Sequence, residues 1–160
     1  MEQSDEEEDD ESETSLIKVS GNRVFFYSDI SRKSALDLIL KLEVAARNAL
    51  QEHTPSRIPT VYLYIHSDGG DAYAGLSIYD HLQSMKVKVV TIADGFVASA
   101  ASIVLLGGHE RMGMQNCHIL VHQLRTNFWG KYSDLLDEVK NSKMLMKSVS
   151  ALYRKRTTMD

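Results

Sequence analysis

Residues 61–70 read VYLYIHSDGG: a β-type run, Val61 to Ile65, passes through His66, Ser67 and Asp68 and ends on the pair Gly69-Gly70. From about Ala72 to Met85 the apolar period becomes that of a helix, and Val87 to Ala93 is again a β run. Strand, helix and strand in that order predict a crossover unit whose two strands lie parallel. Ligands in such sheets bind beyond the carboxyl ends of the strands, so the Gly69-Gly70 loop is the first place to look for a site.

Working outward, the same alternation holds. Upstream, Leu16 to Val19 and Arg23 to Tyr27 flank the turn-forming Ser20-Gly21-Asn22 and predict a hairpin. From Ser31 to about Glu52, Leu38, Leu42, Ala45 and Ala49 recur at helical spacing, and the helix ends before Thr54-Pro55. Downstream, a small-residue helix begins near Ser99 after Asp94-Gly95. Cys117 to Val121 reads as a third strand of the parallel set, ending at His122. Lys131 to Arg156 reads as a long helix with a stripe of Leu135, Val139, Met146, Val149 and Tyr153. Its acids, Asp134, Asp137 and Glu138, come early and its bases, Arg154, Lys155 and Arg156, come last, as the helix dipole favours. The class is α/β, and Gly69-Gly70, Ser99 and His122 all fall at one edge of the sheet.

With 160 residues, 43% of them hydrophobic, the chain is long enough for one domain with a buried core and too short for two ordinary ones. The single cysteine, Cys117, rules out an internal disulfide and thiolate zinc motifs. The net charge of −4 averages two unlike regions: nine of the 22 acids lie in residues 1–14, which leaves 13 acids against 18 Lys and Arg in the rest. Residues 1–14 therefore read as a disordered acidic tail, and with no basic start or apolar stretch they are no signal peptide. Val87 to Gly108 is weakly polar but carries Lys88, Asp94 and three glycines, unlike a membrane span. Neither a membrane nor a nucleic-acid partner is expected.

Three segments could carry chemistry. Ser99, just past a strand and at the start of a helix, sits where free backbone N–H groups and the helix dipole favour an oxyanion. It could equally be an ordinary N-cap, since the elbow pattern G-x-S-x-G is absent, with Val97 and Ala101 in place of its outer glycines. His118 and His122 share a strand face but lie about 13 Å apart at strand rise, so only one can serve a given nucleophile. On a helix they would form H-x-x-x-H, but Ile119 replaces the glutamate of a zinc-protease motif, and no metal site is expected. Gly69-Gly70 fits neither dinucleotide nor P-loop spacing. Two glycines can present a backbone N–H to a substrate, or simply make a tight turn.

Taken together, these residues resemble the proteolytic subunit of the Clp protease, in the crotonase-like superfamily. Residues 61–70 are similar to that family's strand with its Y-I-N-S-P-G-G loop, and Ala74 to Asp80 to its A-G-L-A-I-Y-D helix. Gly95 to Ala101 resembles G-Q-A-A-S-M-G, and Asn116 to Gln123 resembles P-N-A-R-I-M-I-H-Q. The resemblance implies crotonase-like βαβ repeats with a protruding helical handle, and a serine endopeptidase subunit without a cofactor. It implies that Ser99 is the nucleophile and His122, not His118, the general base. The N–H groups of Gly70 and Ala100 would form the oxyanion hole, with substrate extended along Gly70, Asp71 and Ala72. The implied setting is a cytoplasmic homo-oligomeric ring that takes unfolded polypeptides, with a possible AAA+ unfoldase partner.

The expected division is a tail at 1–14 and a peptidase domain at 15–160 that lacks the C-terminal part of the family domain. Departures from the pattern are Asp68 for proline, His66 for asparagine, Ala100-Ala101 for Met-Gly, and the acidic tail for the family's axial segment. The family's third triad member, an aspartate, lies beyond the helix after the histidine, a stretch not reached by Asp160. A catalytically silent structural subunit and a crotonase-type acyl-CoA enzyme are the competing expectations.

Overall fold

The computed structural model describes residues 16–52 and 54–159. The acidic stretch 1–14 and Asp160 lie outside the described residues. The elements, in chain order, are β1 (Ile17–Ser20), β2 (Arg23–Phe26), α1 (Arg32–Gln51), β3 (Thr60–Ser67), α2 (Ala72–Ser84), β4 (Lys88–Ala98), α3 (Ala100–Leu106), β5 (Glu110–Gly113), β6 (His118–Leu120) and α4 (Tyr132–Arg156).

β1 and β2 form the expected antiparallel hairpin, and every other pairing in the sheet is parallel. The order is β1-β2-β3-β4-β5, with β6 also on β4. Alternation decides which face is buried: Val61, Leu63 and Ile65 of β3 are fully enclosed, as are Val24 and Phe26 of β2. They meet Leu38 and Leu42 of α1 and Ile78 and Leu82 of α2 in one core. Each such side chain contributes about 1.5–3 kcal/mol when fully buried. α1 starts at a capping box in which the Ser31 side chain accepts from the Ser34 N–H and the Ser34 side chain accepts from the Ser31 N–H.

β4 is longer than expected because it does not stop at Asp94-Gly95. Its residues 90–93 pair with β5 and residues 96–98 with β6, both on the flank away from β3. Gly95, at φ +76°, lies where the partner changes, and the β3 register slips there, from Ile65 opposite Ala93 to Ser67 opposite Val97. A side chain at Gly95 would start 2.6 Å from His66 Nδ1. β5 was not foreseen, because all four of its residues are exposed and show no alternation; its pairing with β4 alone makes it a strand. The third expected strand shrinks to His118–Leu120. α4 forms as expected, but Leu145 alone of its residues is buried, and Leu135 and Val139 of the expected apolar stripe are exposed.

Candidate active site

Three strand ends converge in register. β3 runs into the Gly69-Gly70 loop, β4 into Ser99 and β6 toward His122, and Ala98 is paired with Leu120. Ser99 and His122 thus leave adjacent parallel strands at one level, at the edge the sequence indicated.

Ser99 has φ 53° and ψ −124°, and it is the single non-glycine residue with positive φ among the described residues. Its side chain makes no capping hydrogen bond, which removes the N-cap reading. Such a conformation costs on the order of 1–3 kcal/mol in a non-glycine residue and persists only where neighbours over-determine it. The neighbours are identifiable. Ser99 N–H donates to Leu120 O at 2.9 Å, and Ser99 O accepts from Ser102 N–H at 3.0 Å and from the Ser102 hydroxyl. The turn therefore has the sharp strand-to-helix geometry of a nucleophile elbow without its glycine pattern. Small residues still allow it: Ala98, Ala100 and Ala101 are all buried.

The Gly69-Gly70 loop lies directly against this turn. Gly69 has φ +102°, and a Cβ there would fall 2.7 Å from Ser99 Cβ and 3.1 Å from Ala100 N. Gly70 has φ +138°, and its Cβ would fall 2.1 Å from Ile30 O. Both positions need glycine. Ile30 forms a parallel bridge with Gly70, its N–H donating to Gly69 O at 2.7 Å and its carbonyl accepting from Asp71 N–H at 2.8 Å. In a parallel bridge the N–H of the bridged residue points to the other edge, so Gly70 N–H is not spent on the bridge with Ile30. Ala100, the first residue of α3, likewise has no intrahelical acceptor for its N–H.

Asp71 is otherwise committed. Its N–H goes to Ile30, and its carboxylate accepts from Ala74 N–H at 3.0 Å, capping α2, while Ala72 is the first residue of that helix. Of the substrate edge expected at Gly70, Asp71 and Ala72, the open N–H on the β3 loop belongs to Gly70.

His122 follows β6 in irregular chain, and His118 lies within β6, so the two are not a helical pair. His122 is exposed and its Nδ1 lies 2.6 Å from Gln123 O. A carbonyl can only accept, so Nδ1 carries the proton and Nε2 is the basic nitrogen. The histidine and the Ser99 hydroxyl are not hydrogen-bonded to each other, a looseness common in unliganded sites. His122 lines a cavity of about 310 Å³ with Val121, Met146, Val149, Tyr153 and Arg154. Among the described residues, no three of His, Cys, Asp and Glu are grouped as metal ligands.

Sequence reasoning missed a group behind the site. The Tyr27 hydroxyl donates to the Asp94 carboxylate, and the Tyr27 ring stacks on His66 with centroids 5.3 Å apart and planes 9° from parallel. His66 Nδ1 lies 2.9 Å from Asp94 O and donates to it. The hydrogen bond to Asp94, then burial, then the charge of Asp94 push the Tyr27 pKa up to about 12. These side chains pin the bulge where β4 changes partner and so set the path toward Ser99. The signal available in the sequence was His66 in place of asparagine.

A strand–helix turn carrying a strained serine, backed by a diglycine loop and bordered by a strand that leads to histidine, thus stands at one edge of a largely parallel α/β sheet. The chain belongs to the Clp protease family, whose profile matches residues 6–160. It is 36% identical over 120 residues to ATP-dependent Clp protease proteolytic subunit 2 of Treponema denticola, covering 74% of this chain and 60% of that one. It is 30% identical over 145 residues to the ATP-dependent Clp protease proteolytic subunit of Oltmannsiellopsis viridis, covering 86% and 74%. The chain thus spans about half to three quarters of the length of the curated relatives it matches. Among solved structures, a point mutant of ClpP1 from Listeria monocytogenes superposes with a TM-score of 0.72 at 21% identity, over 88% of this chain and 74% of that one, which shows the fold. Among the described residues no helix is long and apolar enough to cross a membrane.

Proposed function

We propose that this chain is the proteolytic subunit of a Clp-type protease and cleaves peptide bonds by acyl transfer to Ser99. His122 Nε2 takes the hydroxyl proton as Ser99 Oγ attacks the substrate carbonyl carbon. The carbonyl oxygen takes up the negative charge facing Gly70 N–H and Ala100 N–H, and the proton then passes to the leaving amine nitrogen. Water, activated by the same imidazole, releases the acyl group. One oxyanion donor typically lowers the barrier by about 2.7–4 kcal/mol. The observation that carries this reading is the strained Ser99 turn with the Gly69-Gly70 backbone packed against it.

Hydrogen bonds to the backbone edge at Gly70 tolerate many side chains, which suits unfolded polypeptide as substrate. The "ATP-dependent" in the names of the relatives supports an ATP-driven unfoldase partner, and the exposed apolar residues of α4 support a homo-oligomeric ring, which we place in the cytoplasm. A fluorophosphonate probe tests the chemistry. Labelling should fall on Ser99, vanish in Ser99→Ala and be strongly reduced in His122→Ala. Labelling that persists in Ser99→Ala ends the assignment.

A further inference from the structure

The last turn of α4 lies along α3, which is the helix that Ser99 opens. At one end, the Tyr153 hydroxyl is hydrogen-bonded to the Ser102 hydroxyl. At the other, the Arg156 guanidinium donates to Leu106 O at 3.1 Å and to Gly108 O at 2.7 Å, satisfying carbonyls at the α3 C-terminus. Tyr153 and Arg156 stand three residues apart, on one face of their helix.

The polarity of the first contact follows from counting hydrogens. Ser102 has one hydroxyl proton and gives it to Ser99 O, a carbonyl that cannot donate. Tyr153 must therefore be the donor to Ser102 Oγ. Burial raises the Tyr153 pKa, so the phenol keeps its proton at neutral pH. The result is a one-way chain: Tyr153 O–H to Ser102 O–H to Ser99 C=O. Each link polarises the next. Ser102 is almost fully buried, so its hydroxyl depends on these two partners within the protein. The carbonyl at the end of this chain belongs to Ser99, the one non-glycine residue at positive φ among the described residues.

Resting on the acyl-transfer reading above, we propose that Tyr153, acting through Ser102, is a positioning residue that holds the Ser99 turn in its reactive conformation. Tyr153 touches neither substrate nor reacting atoms in this role. The second serine of the Ser99-Ala-Ala-Ser102 segment then also has a function distinct from that of the nucleophile.

Tyr153→Phe removes one oxygen and keeps the ring. The rate constant for fluorophosphonate labelling of Ser99 in the full chain should fall about 3- to 10-fold, the range expected for one hydrogen bond. The pH midpoint of labelling should not move, because the phenol exchanges no proton. Ser102→Ala should slow labelling by at least as much, and Tyr153→Phe should add nothing in that background. Unchanged labelling in Tyr153→Phe, or losses that multiply in the double variant as general loosening would give, overturns the proposal. A second measurement separates it from the acyl-transfer reading: hydrogen exchange of the amides of residues 100–106 should be faster in Tyr153→Phe. If the unmodified chain is not labelled at all, the acyl-transfer reading fails, and unchanged exchange then removes the Tyr153 role as well.

Discussion

α3 and α4 are neighbours built on opposite terms. All seven residues of α3 are buried, whereas α4 has 25 residues and buries Leu145 alone among its described residues. α3 is specified by what surrounds it: the sheet beneath, α2 beside it and the Ser99 turn at its start. α4 is specified by its own sequence, through helix-forming residues and charges matched to the dipole, and its last turn is hydrogen-bonded to α3 and the residues just beyond it. The site draws on both kinds of element. Its serine and amides come from the rigid body, while one wall of the cavity beside His122 comes from the arm. Substitutions in the body should therefore be expensive in stability or reactivity, and those on the outer face of α4 cheap.

The largest stability effect should come from the core. Leu42 is fully buried between α1 and the sheet, and Leu42→Ala leaves a cavity in a close-packed interior. A loss of about 2–5 kcal/mol is expected, read as a lower urea midpoint at unchanged slope. A loss below about 1 kcal/mol would mean that the body is less tightly packed than its burial implies.

Next is the diglycine loop. Gly70→Ala places a methyl group 2.1 Å from Ile30 O at φ +138°, so the loop must move and carry Gly70 N–H with it. Labelling of Ser99 should drop by about 10²–10³, the usual effect of losing one oxyanion donor. Stability should suffer far less than in Leu42→Ala, because Gly70 itself is exposed and fills no part of the core. Equal damage to both would mean that the loop is part of the core and not a device placed on it.

Periodicity made the hairpin, three of the strands and three of the helices legible, because Leu38, Leu42, Val61, Leu63 and their kind repeat at the spacing of the element that buries them, while α3 was legible as a run of small residues after Asp94-Gly95. It failed where structure comes from pairing alone. Exposed β5 carries no pattern, and the continuation of β4 through Asp94-Gly95 looked like a turn because glycine in a strand also marks a bulge. The order of Ser99, His122 and the glycine pair along the chain was enough to bring them to one edge. The positive φ of Ser99 was hidden, since no composition rule reports strain held by distant hydrogen bonds. Tyr27, Asp94 and Tyr153 were invisible as site-supporting residues for the same reason: their partners lie 67 and 51 positions away along the chain.

The Tyr27 cluster offers a smaller, pH-dependent test of the body. Its pKa of about 12 in the folded chain exceeds the ordinary 10, so the folded state holds the phenolic proton more tightly. The stability from this group is complete below pH 10 and is lost as the pH rises from 10 to about 12. Ultraviolet titration of Tyr27 should show the raised value, and Asp94→Asn should bring it back toward 10 by removing the carboxylate acceptor. An unchanged titration in Asp94→Asn would mean that burial, not Asp94, sets the value. Tyr27 is partly exposed, so solvent screens the effect on global stability.

The smallest effect is expected on the arm. Val139, on the same stripe as Leu135, is 41% exposed, so Val139→Ala removes methyl groups that already meet water. The unfolding free energy read from urea titration should change by no more than about 0.5 kcal/mol. Yet Trp129, Tyr132, Leu135, Leu136 and Val139 together make an apolar surface that a lone molecule leaves in water. Further burial of these side chains has to come from something other than the described residues around them if it is to contribute more. Under the ring proposal, copies of this chain would cover them. Sedimentation of the wild type against a Leu135→Ala, Val139→Ala double variant then reads what monomer stability cannot. Smaller species in the variant, with an unchanged circular dichroism spectrum, would show that the arm stabilises assembly and not the fold. A stability loss of several kcal/mol with unchanged assembly would instead put these residues in the core, and the contrast between the two helices would collapse.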